Sequence, residues 1–96
     1  MAQGAPVWYS GSYLNIINNS TTTVKGGAGI LHTVIVNTLG TTPTIQMFDN
    51  TAASGTKIGL ITPTVPGTFD YDVTFNIGLT VVTTGTGTAD ITVCYQ

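Results

Sequence analysis

The chain has 96 residues and six ionic side chains, Lys25, Lys57, Asp49, Asp70, Asp72 and Asp90, for a net charge of −2, with neither Arg nor Glu. Soluble domains average about 25% charged residues, so a surface this poor in charge points to a protein that spends its working life covered by other protein. Two lysines neutralise at most about two phosphates, which excludes a nucleic-acid binder of ordinary kind, and no apolar run approaches the ~20 residues needed to cross a bilayer as a helix.

The size fits one domain that buries roughly 64% of its unfolded surface. A single cysteine, Cys94, offers no disulfide within one chain, so the core must be well packed or completed by neighbouring subunits. Thr fills 20 positions, Val and Ile are abundant, and long helix-forming side chains are scarce, a composition suited to pleated, half-buried surfaces.

In chain order, residues 1–12 read as an N-terminal arm and 13–96 as one β-domain. The arm lacks the basic start and apolar stretch of a signal peptide, so synthesis in the cytosol is expected, a compartment that also suits a lone thiol. It ends in Val7-Trp8-Tyr9, which includes the only Trp. Aromatic anchors on a terminal arm suit gripping a partner, and these three residues are candidates for that role; the competing reading places Trp8 over the domain's own core.

Beyond the arm, about eight strands are expected over 13–18, 21–25, 30–37, 44–48, 57–62, 68–75, 79–84 and 89–95. They are separated by turn clusters such as Gly26-Gly27-Ala28-Gly29, Gly40-Thr41-Thr42-Pro43 and Gly85-Thr86-Gly87. Short strands at this spacing indicate an antiparallel β-sandwich or barrel.

Over 30–36, Leu31, Thr33 and Ile35 alternate with Ile30, His32, Val34 and Val36. Both faces are largely apolar, and Ile30, His32, Val34 and Val36 are the candidate oligomer interface, a central strand covered twice being the alternative. Over 68–75, Phe69, Tyr71, Val73 and Phe75 alternate with Asp70, Asp72 and Thr74, so the aromatic face should enter the core.

Chemistry-bearing residues are few. His32 has no nucleophile or acid beside it in sequence and reads as a packed side chain with satisfied nitrogens, or as a group at an oligomer axis. Asp70 and Asp72 lie about 7 Å apart on one strand face, a spacing that overlaps glycosidase pairs, but they read as a solvated face; a calcium site with Asp49 or Asn50 is the lesser alternative. Cys94 is expected to be a small buried hydrophobe. The glycine clusters lack the following Lys-Ser/Thr of a phosphate loop. No enzyme, metal or cofactor is expected.

The run Lys25-Gly26-Gly27-Ala28-Gly29-Ile30-Leu31-His32-Thr33-Val34-Ile35-Val36-Asn37 is followed by Phe48-Asp49-Asn50-Thr51-Ala52-Ala53-Ser54-Gly55-Thr56, by Phe69-Asp70-Tyr71 and by Gly78-Leu79-Thr80-Val81-Val82-Thr83-Thr84-Gly85. This order of segments, spanning about seventy residues from Lys25 to Tyr95, resembles the small capsid decoration (cement) proteins of tailed bacteriophages. The resemblance implies a jelly-roll-like sandwich on the outer surface of the virion head, as a homo-oligomer, commonly a trimer, bound to the major capsid protein. It carries over no catalytic residue, and the arm is the least regular part of the class. A fibre or tail module and a carbohydrate-binding or adhesive β-module are the alternative readings.

Overall fold

The computed structural model describes residues 11–96, which form eight strands: β1 (Ser12–Ile16), β2 (Thr21–Gly26), β3 (Gly29–Thr38), β4 (Thr44–Asp49), β5 (Thr56–Ile61), β6 (Gly67–Phe75), β7 (Gly78–Thr84) and β8 (Asp90–Tyr95). All eight expected strands are present within two residues of their expected bounds. They make two antiparallel four-stranded sheets, ordered β1-β8-β3-β6 and β2-β7-β4-β5. Every connection but the β4–β5 hairpin crosses from one sheet to the other, so the fold is an all-β sandwich of jelly-roll-like topology. Val7, Trp8 and Tyr9 lie outside the described residues.

Alternation dictates the core. Leu31, Val34, Val36, Ile91, Val93 and Phe75 from the first sheet meet Ile45, Met47, Leu79 and Val81 from the second, each essentially without solvent exposure. Phe69 and Tyr71 pack against this cluster, as the alternation of 68–75 predicts, whereas Val73, expected on the same face, is exposed beside the left-handed Asp72; burial pushes the Tyr71 phenol above its ordinary pKa. A residue the size of glycine is required at Gly29, where a β-carbon would press on the Gln96 carbonyl and the Phe75 ring.

The two-faced reading of β3 needs correction. The register runs Leu31↔Tyr95 and then Thr33↔Cys94 against β8, and Leu31↔Val73 and then Thr33↔Asp70 against β6. One extra residue in β3 relative to β8, and one in β6 relative to β3, place a shared bulge at His32. A bulge reverses the side on which the following residues point. Leu31 before it and Val34 and Val36 after it therefore all face inward, while Ile35 falls on the outer face and is half-buried. Val34 and Val36 belong to the subunit's own core and are removed from the candidate interface; Ile30 is half-buried and His32 buried.

The second sheet carries a smaller apolar site on its outside. Phe48 points away from Ile45 and Met47, yet is buried, with the Lys57 ammonium 5.6 Å from its ring centroid, a cation–π contact. The β4–β5 turn covers this region: the buried Thr80 hydroxyl donates to the Asn50 carbonyl at 2.8 Å and Thr23 to the Thr51 carbonyl at 3.2 Å.

Candidate docking surfaces

Antiparallel pairing sorts the connections to two ends of the sandwich, and the ends differ in chemistry. One end holds turns 27–28, 50–55 and 76–77. There the Asp49 carboxylate, at the end of β4, accepts from the backbone N–H groups of Ile77 at 2.8 Å and Asn76 at 3.0 Å. These bonds, Ile77 first, hold its pKa below the ordinary carboxylate value. Asn50 donates to the Ser54 carbonyl at 2.8 Å and accepts from the Thr51 N–H at 2.8 Å, which closes the β4–β5 turn. Lys25 and Lys57 stand at strand termini on this end.

The opposite end is built from segments 17–20, 39–43, 62–66 and 85–89, which contain no ionic residue. Hydroxyls and backbone do the fastening here. Thr83 donates its hydroxyl to the Asn18 carbonyl at 2.7 Å and accepts from the Ser20 N–H at 3.0 Å; the Thr86 N–H donates to the Thr41 carbonyl at 3.2 Å. Ile17 and Val65 project from this end, 55% and 66% exposed. A groove of about 400 Å³ runs beside it between Asn19, Thr21, Val82, Thr84 and Gly85, and another of about 350 Å³ between Thr42, Pro43, Thr44, Thr62, Pro63 and Thr64. Neither groove has an acid, a base or an aromatic platform in its wall. The surface suits contact with protein better than capture of a small polar ligand.

The outer face of the first sheet is a third region. Asp90 lies between Asn15 and Asn37, which donate at 2.6 and 3.1 Å; the two amides, Asn15 first, lower its pKa. Asp70 and Asp72 sit farther along the face on β6 and do not act as a pair. Asp72 adopts a left-handed backbone conformation with φ of 52° and turns its carboxylate to His32 Nδ1 at 3.1 Å.

His32 Nε2 faces Gln96 Oε1 at 3.0 Å. The ring is thus spanned between β6 and the residue after β8. This agrees with the packed, satisfied histidine expected from the sequence. Cys94 departs from its expected place in the core: it is half-buried on the outer side of β8, between Tyr13 and Thr33 in register. Among the described residues no three of His, Cys, Asp or Glu gather where a metal ion would be held, and no helix is long and apolar enough to cross a membrane.

These features define the class at the level of fold: a jelly-roll-like sandwich with one partly apolar end whose connecting segments carry no ionic residue. Comparison with protein-family models, with curated proteins and with solved structures gives no match.

Proposed function

We propose that the chain is a structural virion protein that decorates the outside of a phage head and stabilises the shell. The observation that carries this reading is the threonine end, where Ile17 and Val65 stand exposed among hydroxyls and backbone. Apart from the Asp90 carboxylate at the start of β8, such a surface has no charge to be stripped of water when it meets another protein, so it loses little desolvation energy. The order of sequence segments from Lys25 to Tyr95 supplies the more specific expectation of a trimer seated on the major capsid protein.

A symmetric trimer touching several capsomers makes each later contact effectively intramolecular, so modest interfaces add up to firm attachment. Binding only the expanded shell then lowers that state's free energy relative to its competitors. The test is co-sedimentation with purified expanded heads that lack this protein. The native chain should pellet with the heads and raise their resistance to heat, while the I17D/V65D double variant, folded by circular dichroism, should stay in the supernatant. Equal pelleting of both, or no pelleting of the native chain, overturns the proposal.

A further inference from the structure

A sandwich with two open sheets has four edge strands, and three of them are defended. On β2 the register against β7 shifts between Thr23 and Lys25, placing a bulge at Val24 beside a lysine. On β5 the register against β4 shifts between Gly59 and Lys57, again a bulge beside a lysine. On β6 the pairing with β3 is broken at the left-handed Asp72, with Asp70 next to it. Bulges and edge charges are the devices by which sheets prevent an additional strand from pairing.

The fourth edge, β1, has none of them. Its pairing with β8 is unbroken from Ser12↔Tyr95 to Ile16↔Ile91, and Ser-Tyr-Leu-Asn-Ile contains no charge, proline or glycine. Among the described residues only β8 pairs with it. Leu14 and Ile16 turn to the core, while Tyr13, 73% exposed, and Asn15 turn outward.

We infer that the outer edge of β1, unpaired among the described residues, is a strand-addition site, and that its occupant is an extended segment of another protein with apolar residues alternating with basic ones. Backbone hydrogen bonds to β1 supply the affinity, and alternation supplies the register. The apolar positions continue the core beside Leu14 and Ile16. The outward positions fall beside Tyr13 and Asn15, and the Asp90 carboxylate, which Asn15 contacts, lies two strand spacings, about 10 Å, from the added strand, within reach of a lysine extended toward it. A second copy of β1 fits less well. Its Ser12–Ile16 strand brings no cation to Asp90. This inference stands apart from the proposed capsid function.

The probe is an acetylated ten-residue peptide alternating Val and Lys, titrated into the full chain and followed by backbone amide shifts and hydrogen exchange. Shifts and new protection should concentrate on residues 12–16 and weaken with salt. The Tyr13→Lys variant, which sets a like charge beside the added strand, should bind about fivefold more weakly, and a Val–Glu peptide should bind more weakly than Val–Lys. Absence of shifts at millimolar peptide, protection centred on β2, β5 or β6, or equal binding of the Val–Glu peptide overturns the site or its charge preference. Protection of residues 12–16 that appears without peptide and grows with protein concentration makes a second copy the occupant and overturns the inference.

Discussion

The two ends of the sandwich solve one problem, closing turns between sheets, with different chemistry. At the carboxylate end, Asp49 gathers the N–H groups of the β6–β7 turn and Asn50 closes the β4–β5 turn. At the threonine end, hydroxyls of Thr83, Thr42 and Thr86 and backbone bonds do the same work without an ion. The difference teaches that charge in this chain fastens turns at one end and is withheld from the connecting segments of the other, where Asp90 stands at the start of β8, and this other end is the one that exposes Ile17 and Val65.

The largest effect should come from the core beneath the carboxylate end. Phe75→Ala leaves a cavity beside Gly29 and is expected to cost about 3–5 kcal/mol, measured by urea unfolding. If the threonine end folds as an independent unit, its amide exchange will survive this substitution; loss of protection at both ends marks one cooperative sandwich.

Next in size is Gly40→Ala at the threonine end. Gly40 has φ of +69° and its added β-carbon would strike the Thr88 carbonyl. A loss of about 1–3 kcal/mol is expected. An unchanged midpoint would mean that this end yields where the other is rigid.

The smallest effect separates the ends by pH. Asp49 has a folded pKa below the ordinary carboxylate value, so the unfolded state binds the proton more readily. The stability it contributes is present above the unfolded pKa and is lost as pH falls from about 4 through the folded value. Asp49→Asn should therefore lower the urea midpoint at pH 7, and the gap to the native chain should narrow as pH falls below about 4. Asp90, also lowered, retains its own acid dependence in that variant, so the native-minus-variant difference isolates the carboxylate end. A constant difference between pH 7 and pH 3 would remove Asp49 from the account.

Much of this architecture is legible in the residues. Turn clusters and β-branched runs place all eight strands, and the alternation of 68–75 places Phe69, Tyr71 and Phe75 inward. Alternation misleads at 30–36 because it assumes an unbroken period of two, and a single bulge at His32 exchanges the faces of everything after it. Cys94 illustrates a related limit: its neighbours Val93 and Tyr95 take the inward positions, so the thiol falls outward. The cover over Phe48 comes from the β4–β5 turn that follows it, held in place by hydroxyls of Thr80 and Thr23 from distant strands, which no local pattern records. The threonine end is visible only after topology assembles four separate segments; its signal in the sequence is the absence of ionic residues from each of them.

The bulge at His32 does more than reverse faces. It is matched by an offset in the pairing on both sides of β3, and it is bracketed by Asp72 and Gln96 through the imidazole. Sliding β3 by one residue would carry valines to water and threonines inward while also uncoupling the histidine from both flanking groups. The irregular point therefore acts as an alignment pin for three strands, so that a segment rich in interchangeable Val, Ile and Thr settles into a single alignment among several of similar hydrophobicity.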